Sequence, residues 1–227
     1  MIAGCFASRQ RSRFKRLSFQ VGALYLAAME DSKVSVIIDA ATSRFAHYGL
    51  SKTTMNEIAA DIGMSKAALY YYFPDKERLF IAVVTKEFDQ FESAVRSMID
   101  RDSKAGFKLK RYVTIRNQFL EKLRNMAKVE SANLTEMMNP VYNEMKNRLF
   151  NKEKQLVASI FAYGISNGEF RKVNINELAD FFVSSLVGLR STGLVLPAES
   201  EADHFSKSIA QSVLLTSILL EYLRTSP

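Results

Sequence analysis

An all-α chain is the fold class this sequence predicts, and three observations predict it. Apolar residues recur at helical spacing along most of the length, and strand-like alternation is hard to find. Glycine and proline are scarce, 9 and 4 in 227 residues, so long helices meet few breakers. Apolar content of 48% beside 24% charged residues belongs to a globular chain with a core to bury. The pattern divides into about nine helices, and the length suits one or two small domains.

Composition also excludes several classes. No apolar run approaches the roughly 18 residues needed to span a bilayer, so no membrane partner is expected. The single cysteine, Cys5, cannot form an intrachain disulfide and rules out a cysteine-based metal cage. The absence of a disulfide framework fits a reducing cytoplasm, the expected location. The net charge of +7 is unevenly placed. Arg9, Arg11, Arg13, Lys15 and Arg16 face only Glu30 in the first thirty residues. Residues 33–88 are nearly balanced, which still permits a locally positive face.

Residues 1–32 read as an N-terminal extension, basic and then apolar through VGALYLAA. Three readings stand: a basic arm tracking DNA phosphates, a signal peptide, or an upstream start with Met29 as the natural first residue. The first helix is expected over 32–47, with Val34, Ile37, Ile38, Ala41 and Phe45 on one face and Gly49 as its stop. His47, near its end, is expected at the surface or half-buried rather than as a ligand.

The most informative stretch follows, TMNEIAADIGMSKAALYYYF at 54–73. Thr54 and Glu57 have capping-box spacing ahead of Ile58, Ala59 and Ile62. Gly63 stands where the chain needs positive φ. Ser65 caps a second short helix that ends at Pro74, and Asp75 can cap the next. Two short helices joined through a glycine turn are the form of a DNA-binding helix-turn-helix. A recognition helix must present small or polar side chains at its N-terminal end. Lys66, Ala67 and Ala68 meet that need, while Tyr70, Tyr71 and Lys76 can donate to phosphates. Thr53, Thr54 and Ser65 complete the expected DNA-contacting set. An ordinary helical hairpin with a tyrosine-rich surface is the alternative.

The segment VIIDAATSRFAHYGLSKTTMNEIAADIGMSKAALYYYFPDKERLF, 36–80, resembles the N-terminal domain of the tetracycline-repressor (TetR) family. Ala40, Phe45, Gly49, Thr54, Ile58, Ala59, Gly63, Ser65, Leu69, Tyr70, Phe73, Lys76 and Leu79 carry the resemblance. It implies a three-helix DNA-binding domain at 33–80 and a helical ligand-binding and dimerisation domain at 81–227. It further implies a homodimer on a double-stranded operator, released by a small-molecule effector, with the fourth helix as a lever.

That fourth helix begins at Asp75 and carries Leu79, Val83, Phe88, Phe91, Val95 and Met98. Residues 101–110 read as a linker. The fifth helix, 107–127, has Phe107, Tyr112, Ile115, Phe119, Leu120 and Leu123 on its apolar side. Lys108, Lys110, Arg111, Arg116, Lys122 and Arg124 are expected on a solvated basic side. A short helix is expected over 130–138 and a longer one over 141–167. The last two, 175–191 and 201–224, are apolar nearly all round, so each needs cover on both sides. A symmetric four-helix interface supplies it, with Phe182, Leu186, Leu189, Leu215, Leu219 and Tyr222 as its expected residues.

Phe119, Met137, Met138, Tyr142, Met145, Phe161 and Tyr163 are candidates to line an apolar effector pocket; plain core packing is the competing assignment for each. No HExxH, GxSxG, P-loop or dinucleotide fingerprint is present, and His47 and His204 have no evident nucleophile partner. Neither an enzyme nor any cofactor or metal is expected. A helical interaction module without DNA binding is the remaining alternative, and the intact Thr54, Lys66, Tyr70, Tyr71 and Lys76 argue against it.

Overall fold

The computed structural model describes residues 31–101, 103–127, 140–191 and 201–224. Side chains of 140–142, 191 and 201–202 are excepted. Eight helices lie among the described residues: α1 (31–48), α2 (Met55–Asp61), α3 (Lys66–Tyr72), α4 (Lys76–Ile99), α5 (Ala105–Ala127), α6 (Pro140–Ser166), α7 (Ile175–Ser191) and α8 (Glu201–Leu223). The only extended pairing found there is an isolated antiparallel bridge between Phe170 and Arg224. The all-α class therefore stands. The extension and the helix expected over 130–138 lie outside the described residues.

Two compact units emerge. The first holds α1, α2, α3 and the start of α4 up to Val83; the second holds the chain from Val84 onward together with Gly49–Ser51. In the first, Ile37, Ala41 and Phe45 are buried at helical spacing on α1, with Ile58, Leu69 and Leu79 contributed by the next three helices. Phe45 meets Phe80 edge-on, ring centroids 5.6 Å apart.

In the second unit α5 packs on α6, α6 on α7, α7 on α8 and α8 back on α5, closing a four-membered ring. Phe88, Phe91 and Val95 of α4 join Tyr112, Phe161 and Phe182 in its core. Gly164 marks the tightest approach. A Cβ there would lie 2.2 Å from the Phe170 ring and 2.8 Å from the Ala105 Cβ, so only glycine lets these segments meet.

The ends of α4 and α5 are held by side chains from elsewhere. The Glu169 carboxylate accepts from the Ala105 N–H at 2.8 Å, placing negative charge at the N-terminus of α5. The Lys108 ammonium donates to the carbonyls of Ile99 and Arg101 at the C-terminal end of α4. It also lies 3.7 Å from the centroid of the Tyr163 ring.

The basic side of α5 is the expected solvated surface only in part: Lys110, Arg111 and Lys122 are exposed. Lys108 is 1% exposed and Arg116 is buried, whereas Phe107, placed on the apolar side, is 60% exposed. Lysine and arginine stems are apolar, so such residues go inside wherever their charged ends find acceptors. Arg116 finds Glu153 of α6, whose Oε1 accepts from Arg116 Nε at 2.7 Å and from the Tyr112 hydroxyl at 2.6 Å. Burial drives the Tyr112 hydroxyl well above its ordinary range, aided by the adjacent carboxylate. Burial alone would pull Arg116 down; the Glu153 carboxylate more than reverses that, so it remains a cation.

Removing one member of a buried ion pair leaves the other uncompensated. Glu153→Leu is expected to destabilise the second unit by about 3–5 kcal/mol, read by urea unfolding. Combining it with Arg116→Met should restore most of the loss, because both charges then leave the core together.

Candidate nucleic-acid interface

Local sequence builds the helix-turn-helix as a sequence of caps. The Thr54 hydroxyl accepts from the Glu57 N–H at 3.3 Å, and Glu57 Oε2 accepts from the Thr54 N–H at 2.8 Å. That reciprocal pair is the predicted capping box. At the other end of α2, Met64 N–H bonds Ala59 C=O at 2.8 Å and Gly63 N–H bonds Ala60 C=O at 3.1 Å. This is a Schellman closure, with Gly63 at φ 63° in the left-handed position. Ser65 Oγ accepts from the Ala68 N–H at 3.2 Å and starts α3. Phe73 ends α3, and Asp75 Oδ1 accepts from the Arg78 N–H at 2.6 Å to start α4.

The caps leave one end of α3 facing outward. Ser65, Lys66, Ala67, Tyr70 and Tyr71 are exposed, Tyr71 by 75%, while Leu69 and Phe73 anchor the helix from below. The Lys66 ammonium lies 5.7 Å from the Tyr70 ring centroid, and Tyr71 stands edge-on to Tyr72. Two small residues, Ala67 and the half-buried Ala68, lie among the polar groups of the first turn. Such an end can approach a groove closely and offer charge and hydroxyl donors to phosphates.

Two of the expected contact residues stand differently. Thr53 is 1% exposed, so its side chain belongs to the interior rather than to the outer surface. Lys76 is half-buried, and its ammonium donates to the Thr53 carbonyl at 3.1 Å, tying the start of α4 to the residue before the α2 N-cap. Thr54 is exposed, but its hydroxyl is engaged in the capping box.

Sequence reading missed Arg44. From α1 its guanidinium grips Asp61 at the end of α2, with Nη2 to Oδ1 at 2.7 Å, and approaches Glu57 at 3.5 Å. Tyr48 lies beneath it at 5.4 Å. Hydrogen bonding from Arg44 lowers the Asp61 carboxyl, and that from Thr54 lowers the Glu57 carboxyl, below the ordinary carboxylate range. An opposite-charge pair 17 residues apart gives no periodic signal; only the crossing of α1 over α2 brings it together.

The residues proposed for an effector pocket are only partly gathered. Phe119 stacks on Phe91 with ring centroids 5.1 Å apart, and Phe161 meets Phe182 edge-on at 6.2 Å. Tyr163 lies against Lys108, and Met145 is buried. Met137, Met138 and the Tyr142 side chain lie outside the described residues. His47 is exposed and stands edge-on to Tyr48. Among the described residues no three His, Cys, Asp or Glu side chains cluster as metal ligands, and no helix is long and apolar enough to cross a membrane.

With folded pKa values lowered, the Arg44 clasp contributes above the unfolded carboxyl range and is lost as acid titrates Asp61 and Glu57. Asp61→Asn is therefore expected to lower the urea midpoint of the first unit at pH 7. The difference from wild type should begin to shrink as pH falls through the ordinary carboxyl range of about 4 and vanish only below the lowered folded values. A gap that persisted in acid would contradict the clasp.

The model of bacterial regulatory proteins of the tetR family matches residues 37–83. A probable acrEF/envCD operon repressor of Escherichia coli K12 is 29% identical over 93 residues, 41% of this chain and 40% of that protein. The HTH-type transcriptional regulator RutR of the same organism is 41% identical over 58 residues, 26% and 27% of the two chains. The chain thus spans less than half the length of these curated relatives. A solved transcriptional regulator from Cytophaga hutchinsonii is similar throughout: 38% identity, 85% of this chain and 99% of that one, with a TM-score of 0.77. On these matches and the architecture above, the chain belongs to the tetR family of bacterial regulatory proteins.

Proposed function

We propose that the protein is a cytoplasmic, homodimeric DNA-binding regulator, a repressor that a small-molecule effector releases from a roughly palindromic operator. The observation that carries this reading is the capped, outward-facing N-terminal end of α3, with Lys66, Ala67, Tyr70 and Tyr71 exposed. Lys66 and Ala67 read base edges; Tyr70 and Tyr71 hold phosphates; Lys76 acts first by fixing the Thr53 carbonyl.

Dimerisation is supported by the outer surface of α7 and α8. Leu214, Ile218 and Tyr222 stand one above another at i, i+4 and i+8, with Val213 alongside; Phe181 and Val187 are exposed on α7. Gly188 opens onto free space, which suits close approach of another helix. This surface replaces part of the expected interface. Phe182, Leu186 and Leu219 are buried in the protomer's own core, and Leu189 and Leu215 are half-buried; Tyr222 alone of the six is exposed. Periodicity could not separate the two sides, because both are apolar.

Two such protomers set two recognition helices about 34–36 Å apart, one turn of duplex. An effector that favours another spacing lowers operator affinity by linkage. Mobility shifts with DNA from upstream of the gene test the reading, and binding should weaken steeply with salt as counterions are released. Tyr71→Phe should weaken all sequences alike, whereas Lys66→Ala should change sequence preference. Equal affinity for random duplex would contradict operator recognition. Ile218→Asp, at a position 60% exposed in the protomer, should leave the fold intact. It should abolish dimers and operator binding by burying a carboxylate between subunits.

A further inference from the structure

Nε of the half-buried Arg124 is the one buried side-chain nitrogen or oxygen among the described residues that has no hydrogen-bond partner. The Arg124 guanidinium carbon lies 4.6 Å from the centroid of Phe205, a buried residue on α8. Glu121, one turn earlier on α5, forms no ion pair with it, in contrast to the carboxylates that serve Arg44, Arg96 and Arg116. A guanidinium has five donors and no acceptor; the Phe205 ring covers its face and leaves Nε without an acceptor. An unmet buried donor in a native fold calls for a missing partner.

We propose that Arg124 and Phe205 form an effector subsite for an oxyanion, a carboxylate or a phosphate, at the end of an apolar small molecule. The proposal rests on the reading of the second unit as the effector domain. The oxyanion follows from the guanidinium fork, whose Nε and Nη donors match two oxygens side by side. The apolar remainder follows from the surroundings. Phe205 is buried, and Leu120 lies one turn before Arg124 on the same side of α5. The oxyanion reaches Nε by turning the guanidinium away from the ring. Since Arg124 is on α5 and Phe205 on α8, drawing the guanidinium off the ring removes a contact between these two helices.

The test uses the whole chain with octanoate, octyl phosphate, 1-octanol and octyltrimethylammonium as probes. Octanoate or octyl phosphate should raise the Tm and shift the Nε–H resonance of Arg124; whichever acts more strongly identifies the oxyanion. The alcohol and the cation should do neither. Arg124→Met should weaken binding of the active anion by about tenfold or more, the usual range for a lost charge-assisted bond. It should change the ligand-free Tm little, since the lost ring contact with Phe205 is offset by removal of a buried donor that had no acceptor. Arg124→Lys should recover part of the affinity. The site is overturned if no anion binds, if octanol stabilises as strongly as octanoate, or if Arg124→Met lowers the ligand-free Tm and leaves anion affinity unchanged. Operator binding by ligand-free Arg124→Met at wild-type strength would leave the regulator reading standing even then. Absence of operator binding by wild type would fail that reading whatever octanoate does.

Discussion

α7 and α8 carry apolar side chains on two sides, and one protomer covers only the inner side. Phe182, Val183, Leu186, Leu219 and Leu223 close the core of the second unit. Phe181, Val187, Leu214, Ile218 and Tyr222 remain outside it. Isolated exposed apolar residues are ordinary, but Leu214, Ile218 and Tyr222 form a row along α8, and the proposed dimer rests on it. The proposed regulator depends on this constraint. A helix-turn-helix of two seven-residue helices offers few base contacts, and pairing two of them is what makes a palindrome readable.

Within the protomer, polar groups decide how the helices are held. Lys108 ends α4, Glu169 begins α5, and Glu153 ties α6 to α5 through Arg116 and Tyr112. Each replaces a solvated charge by a directed bond between two elements, so each fixes a relative position that apolar packing alone would leave adjustable. The same logic operates in the first unit, where Arg44 joins α1 to α2 and Lys76 joins α4 to Thr53. Arg124 departs from it, and that departure is what singles it out.

How much of this was legible depended on whether the signal was local. The caps at Thr54, Ser65 and Asp75 and the turn at Gly63 were readable because each is fixed by residues within four positions. The exposed set on α3 followed from the same caps. Thr53 was misread because its burial is set by chain packing from a distance. Lys108 and Arg116 were assigned to solvent because their charge says nothing of the carbonyls and carboxylate waiting on other helices. On α7 and α8, an apolar circumference pointed to a partner surface without indicating which side would form it. Phe182 and Phe181 are adjacent and chemically identical, yet one is in the core and the other outside.

The two-sided character of α7 and α8 makes self-association the most direct test of the account. Sedimentation equilibrium of the wild-type chain over a range from nanomolar to tens of micromolar reads it without reference to any operator or effector. The account predicts a single species of twice the chain mass, 25.7 kDa per protomer, through the micromolar range. A stable, folded monomer at those concentrations would contradict it.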